Sequence, residues 1–292
     1  MSEYSIKNLE ALSGIKAQTI RVWERRYNIL IPTRTSTNIR KYSDSDLVKL
    51  LNLSVLIQHG HKISQLSQMS DQQLKESVYE LKYKPFLHNT EIDKLLSATI
   101  DMDSRKFTAS LENNIDILGF EESIIHVVFP FLKHLGILWQ TGNLIPAQEH
   151  FVSNLIRNKF IQENNKIGEP NNLDAPLTLF ILPQGEEHEL SLLFYQYIAK
   201  VEGHNTIYLG QNVPNADLIN ISAYKTPDNV FTSFTSSISG IDLKAYIEKI
   251  SEIFHSSTIY ITGGQLKKLN FKLPSNVVVV SSPAKFRKYH KN

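Results

Sequence analysis

Cysteine is wholly absent from the 292 residues, which excludes disulfides, thiolate zinc sites and a cysteine nucleophile together. Any metal chemistry must run through the ten histidines and the carboxylates. Long apolar runs are missing as well. No stretch approaches the ~20 residues that span a bilayer, and the opening MSEYSIKNLEALSG has neither the basic start nor the apolar run of a signal peptide. The expectation is a cytoplasmic protein with no membrane partner. A glycine-rich phosphate cradle is lacking, and no cluster of acid and base residues forms an internal substrate site, so the chain reads as a non-enzyme.

Charge of one sign does not dominate, at a net +2 overall, but its distribution is uneven. Residues 1–84 hold thirteen Lys or Arg against eight Asp or Glu, leaving 18 against 21 for the rest. The basic end is therefore the candidate for nucleic acid. At 41% apolar and 21% charged the chain is ordinary globular material, long enough for two or three units that each bury a core.

Near the amino terminus, Ile6, Leu9 and Leu12 fall at helical spacing, Ser13-Gly14 breaks the pattern, and a second helix runs from about Lys16 to Tyr27. Two short helices around a tight glycine turn make a helix-turn-helix. On the second, Ile20 and Trp23 or Tyr27 can face inward, leaving Arg21, Glu24, Arg25 and Arg26 to project outward. ILIPTRTSTNIRKYS then reads as a β-hairpin wing carrying Arg34, Arg40 and Lys41. Ser43 opens SDSDL, a capping-box start to a long apolar helix.

This order of parts, from TIRVWERRY through the basic wing and RKYSDSDL to IQHGHKISQL, resembles the MerR-type winged-helix transcription regulators over about 70 residues. The resemblance implies that Arg21, Arg25, Arg26 and Tyr27, with Trp23 in the same set, contact bases or phosphates of a double-stranded operator. It implies that Arg34, Arg40 and Tyr42 contact the backbone through the wing. Phosphate contacts would supply affinity and groove contacts sequence choice.

Pro85 interrupts the helical pattern and reads as a hinge. Four helix-period segments follow, from EIDKLLSATI to AQEHFVSNLIRNKFIQ, and predict a four-helix bundle. NNKIGEPNNLDAP reads as the next linker. Beyond it, β-prone runs at 177–182, 205–209, 229–234, 258–262 and 277–280 alternate with helix-length segments, which predicts a parallel sheet covered on both faces. The fold class is thus multidomain: an α+β winged helix-turn-helix (1–75), an all-α four-helix bundle (88–166) and an α/β flavodoxin-like, doubly wound sheet (174–292). Ligands of such sheets sit beyond the strand carboxyl ends, where strand order reverses.

PQGEEHELS, at the end of the first of these strands, resembles the loop of cobalamin-binding domains, whose signature is an acid, any residue, a histidine, two more residues and a glycine. Here the order is Glu186, Glu187, His188, Glu189, Leu190 and Ser191, with serine where the family has glycine. YLGQNVP after the second strand, Ser233 to Thr235 after the third, and Gly263-Gly264 after the fourth continue the likeness. Trp139 followed after nine residues by Glu149-His150 matches the helical cap of the cobalamin-dependent, light-sensing MerR-type repressors.

The resemblance implies His188 as the lower cobalt ligand, with Glu186 holding its other ring nitrogen. It implies glycines that admit the ring or nucleotide tail, Trp139 over the upper face, and His150 taking the upper position after photolysis. The expected cofactor is adenosylcobalamin, which would favour an oligomer, dimer or tetramer, that grips its operator and represses transcription in the dark. Ser191 supports another reading, a cobalamin-independent regulator whose carboxy-terminal domain serves dimerisation or binds an antirepressor protein. A corrinoid enzyme subunit is the third, disfavoured by the helix-turn-helix. Residues 64–84 are too short for a convincing coiled coil, so assembly is expected through the carboxy-terminal domains.

Overall fold

A computed structural model describes residues 4–35, 38–83, 90–142, 144–168, 172, 174–235 and 242–288. Pro85 lies outside the described residues, as do 169–171 and 173 of the second linker. The chain divides into two compact units, Met1–Leu155 and Ile156–Asn292.

In the first unit, α1 (Ile6–Ser13) starts at a reciprocal cap between Ser5 and Asn8 and stops at Gly14, whose φ of 73° places it in the left-handed region. α2 (Ala17–Tyr27) ends at Asn28, also left-handed. β1 (Thr33–Arg34) and β2 (Arg40–Lys41) pair antiparallel as the wing. Ser43 and Asp46 cap α3 (Asp44–Gln58) reciprocally, as the SDSDL pattern predicts. After Gly60 come α4 (Ile63–Leu66) and α5 (Asp71–Tyr83). Leu9, Ile20, Leu50, Leu53, Leu56, Leu74 and Val78 bury together, so α3 and α5 complete a core that α1 and α2 are too short to form alone.

The helical segments α6 (Thr90–Ile100), α7 (Ser104–Leu118), α8 (Phe120–Ser123), α9 (Phe129–Gln140) and α10 (Pro146–Ile167) follow. α8 and α9 are joined by a π-helical turn, Ile124–Val128, and together make the third of the four predicted helices. The widened turn falls just ahead of Pro130, which has no N–H to donate to the preceding turn. Phe107 and Phe131 meet inside, ring centroids 5.6 Å apart. α10 continues to Ile167, so the first residues of the predicted linker are helical.

The second unit alternates β3 (Leu177–Pro183), α11 (Leu190–Val201), β4 (Asn205–Val213), α12 (Asn215–Ser222), β5 (Asn229–Ser233), α13 (Leu243–Ile253), β6 (Thr258–Thr262), β7 (Val277–Val279) and α14 (Pro283–Lys288). The sheet is parallel with order β4-β3-β5-β6-β7, the flavodoxin-like winding. Strand order reverses at β3, so its carboxyl end is the switch point. One face buries Leu179, Ile181, Val230, Ile259 and Ile261 with Leu218 of α12 and Ile247 and Ile250 of α13. On the other, Tyr195 of α11 stacks on Phe231 at 4.5 Å and Phe286 of α14 packs edge-on to both.

β4 departs from expectation. Its strand runs four residues past Leu209, and most of YLGQNVP is strand, not loop. Two register shifts against β3, with Gly210 and Asn212 at positive φ, let the extra residues fit. Among the described residues no helix is long and apolar enough to cross a membrane.

Candidate functional site

The basic surface is built on α2. Arg21, Arg25 and Arg26 are exposed, and the Arg26 guanidinium lies 5.3 Å from the ring centroid of Tyr27. Tyr27 and Trp23 are half-buried against the helix-turn-helix core, so their rings serve packing first. Arg34 projects from the wing and donates to Asn38 at 2.7 Å.

Two expectations change here. Glu24 does not project outward: its side chain is 7% exposed and accepts from Arg40 Nε at 3.0 Å and from the Tyr42 hydroxyl. Tyr42, expected on the DNA backbone, is itself 1% exposed. Burial, then the bond to Glu24, pushes its hydroxyl far above the usual tyrosine range. Its main chain pairs with Tyr4 at 2.9 and 3.0 Å. Tyr42 therefore fastens the wing to α2 and to the start of the chain, and a 1%-exposed ring does not reach a phosphate.

The second constellation stands at the switch point. Glu186 is fully buried just past β3. One carboxylate oxygen accepts from the backbone N–H groups of Glu187 and His188, both at 3.1 Å, and lies 2.6 Å from His188 Nδ1. The other accepts from Thr235 N at 2.9 Å, beyond the end of β5. The His188 side chain is 59% exposed. The carboxylate thus fixes the ring's orientation and its tautomer, with the proton on Nδ1.

Ser191, in the first turn of α11, donates its hydroxyl to Ser233 Oγ at 3.0 Å. Ser233 is the buried last residue of β5 rather than part of a following loop. Gly263 has φ 118°, and a Cβ there would lie 2.2 Å from the Phe234 carbonyl oxygen. Only glycine lets this turn close on the β5 end. Gly264 follows, its ideal Cβ 3.8 Å from Thr235 O. Glu186, His188, Ser191, Ser233, Thr235 and the two glycines therefore converge, as the predicted strand ends require.

Glu189 joins the site without a role predicted from its position in the sequence. It is buried, paired with Arg157 of α10 and accepting from the Tyr208 hydroxyl at 2.7 Å. The bond to Glu189 raises the Arg157 pKa, and burial followed by the same carboxylate raises that of Tyr208. This network ties the loop to α10 and β4. Its one sequence signal is an acid just after the histidine.

The three predicted cap residues lie in the first unit. Trp139, on the last turn of α9, is 49% exposed, an unusual position for a tryptophan. Glu149, in the first turn of α10, accepts from Ser153 Oγ at 2.6 Å and lies 3.2 Å from Nδ1 of the exposed His150.

Both the amino-terminal module and the helical bundle match known families. Residues 4–73 match the model of the MerR HTH family regulatory proteins, and residues 91–162 match that of the B12 binding domain. The chain is 28% identical over 255 residues to the HTH-type transcriptional repressor CarH of Myxococcus xanthus, covering 85% of this chain and 84% of the relative. It is 26% identical over 235 residues to the repressor CarA of the same organism, covering 78% and 75%. Among solved structures, the monomethylamine corrinoid protein of Methanosarcina barkeri superposes with a TM-score of 0.53 at 16% identity, over 69% of this chain and 98% of that one. At that identity the likeness is one of fold.

Proposed function

We propose, for a chain that joins a MerR-type helix-turn-helix to a B12-binding domain and is homologous to the repressors CarH and CarA, that operator binding is controlled by adenosylcobalamin held through His188. The chain is a transcriptional regulator of the CarH and CarA type, not an enzyme. The observation that carries the cofactor reading is the buried Glu186 carboxylate on His188 Nδ1. One imidazole so oriented, backed by one carboxylate, fits a metal that arrives with most of its ligands, and the nitrogen such a metal takes is Nε2.

Glu186, Ser191, Ser233, Thr235, Gly263 and Gly264 would shape the site around His188, with Trp139, Glu149 and His150 of the cap toward the upper face. Bound adenosylcobalamin would supply a photolabile cobalt–carbon bond. Arg21, Arg25, Arg26 and Arg34 would hold the operator duplex, with affinity that falls as salt rises. Repression in the dark by an oligomer, and release in light, complete the reading.

The test mixes the purified full chain with adenosylcobalamin in darkness and removes free ligand. A retained corrinoid spectrum and a light-dependent change in size on a sizing column are expected. A colourless protein of unchanged size would sink the reading. His188→Ala should alter the bound spectrum, and an unaltered one removes His188 as the ligand.

A second reading rests on the Ser191–Ser233 hydrogen bond, which ties α11 to β5 where the family signature has glycine. In it the carboxy-terminal domain serves dimerisation or binds an antirepressor, and salt-sensitive DNA binding needs no corrinoid.

A further inference from the structure

α3 does more than complete the helix-turn-helix core. Asn52, midway along it, is 1% exposed. Its Nδ2 donates to Val48 O at 2.9 Å and, 89 residues away in sequence, to Thr141 O at 3.0 Å. Thr141 is also 1% exposed and closes α9 two positions after Trp139. Gly142 follows at φ 71° and donates its N–H to the Trp139 carbonyl at 3.0 Å. A Cβ on Gly142 would lie 3.0 Å from Val48 Cγ1 and 3.5 Å from the end of Lys75. The turn that ends the Trp139 helix is thus seated on α3 and α5, where a side chain would fit only if Val48 gave way.

Asn52 Oδ1 is buried and has no hydrogen-bond partner among the described residues. A buried amide oxygen without a donor opposes the seated arrangement, while the bond to Thr141 favours it. Releasing the seat would give both halves of the amide to water. Whatever alters the end of α9 therefore acts on the same contact that touches α3.

We propose that Asn52 and the Thr141–Gly142 turn are the contact through which occupancy of the corrinoid site reaches the DNA-binding module. The proposal rests on the cofactor reading given above, in which Trp139 faces the corrinoid. Loading orders the end of α9, favours the seated state and thereby fixes α3 behind the α1–α2 pair. By linkage, operator binding raises corrinoid affinity by the same factor.

Hydrogen exchange on the full chain tests this, with adenosylcobalamin in darkness as the probe. Loading should slow backbone exchange in wild type over Ile137–Thr141 and also over Lys49–Leu56, each by about tenfold, the middle of the usual range for coupled sites. Asn52→Ala should keep the corrinoid spectrum and the first effect and lose the second. Gly142→Ala, which disturbs the seat from the cap side, should do the same and guards against misfolding of the first variant.

If wild-type Lys49–Leu56 ignores loading, or Asn52→Ala keeps both effects, the coupling is overturned while the cofactor reading stands. If wild type retains no corrinoid, the cofactor reading fails and the coupling proposal fails with it. Exchange in the ligand-free chain then tests the seat alone: Asn52→Ala should speed both segments, and equal rates would show that no seat exists.

Discussion

The Tyr42 hydroxyl donates to Glu24, so the strand that closes the wing is tied to the helix that presents Arg21, Arg25 and Arg26. Orientation of the basic helix relative to the wing is therefore set inside the module. Tyr42→Phe removes one hydrogen bond to a carboxylate and should cost about 1.5 kcal/mol of stability, read by urea unfolding. DNA affinity should fall with little change in its salt slope, because no phosphate contact is lost. An unchanged unfolding midpoint would show that this bond does not fasten the wing.

Glu186 holds four backbone or side-chain donors around His188 in a fully buried position. Glu186→Gln keeps the volume but loses the charge that fixes the imidazole tautomer. Corrinoid affinity should drop about 10–100-fold, the usual effect of removing such a partner, with far-ultraviolet circular dichroism unchanged. Equal retention of adenosylcobalamin by both proteins would show that the carboxylate does not serve the ligand.

Gly263 allows β6 to turn within reach of the Phe234 backbone, where a Cβ would overlap a carbonyl oxygen at 2.2 Å. Gly263→Ala should destabilise the second unit by about 3 kcal/mol, as steric clash with a fixed backbone does. Gly264→Ala, whose Cβ meets only Thr235 O at 3.8 Å, should stay near wild type. Denaturant midpoints of the two variants decide the matter.

His204 is 2% exposed, 2.9 Å by Nδ1 from Thr178 Oγ1, and its pKa is held below the usual imidazole value. Burial is the main cause, opposed by the nearby carboxylates of Glu202 and Asp228. Because the folded chain disfavours the charged ring, the unfolded chain takes up the proton first. Stability is complete above about pH 6.5 and declines as pH falls from there toward the lower folded value. Thermal unfolding between pH 7 and 5 should show this loss in wild type and a flatter profile in His204→Gln. Parallel profiles would assign the loss elsewhere.

The amino-acid sequence by itself determined the parts and their order, because the signals are local. Glycine at Gly14, the Ser43–Asp46 cap and helical spacing mark the helix-turn-helix, while β-prone runs between helix-length segments mark the parallel sheet. Strand ends located the Glu186–His188 loop, Ser233–Thr235 and Gly263-Gly264 before any distance was known. What only tertiary structure decided are side-chain partners far apart in sequence. Helical periodicity turns Glu24 outward, yet a half-buried cation and a buried hydroxyl from the wing draw it in. The acid after His188 gives no local sign of which partners it meets, Arg157 and Tyr208, and Asn52 none of its bond to Thr141 across 89 residues. The strand running on to Val213 was hidden because Gly210 and Asn212 read as turn formers, whereas pairing with β3 uses their positive φ to absorb two register shifts. Periodicity encodes which face of an element is buried; what meets it there depends on how the elements pack.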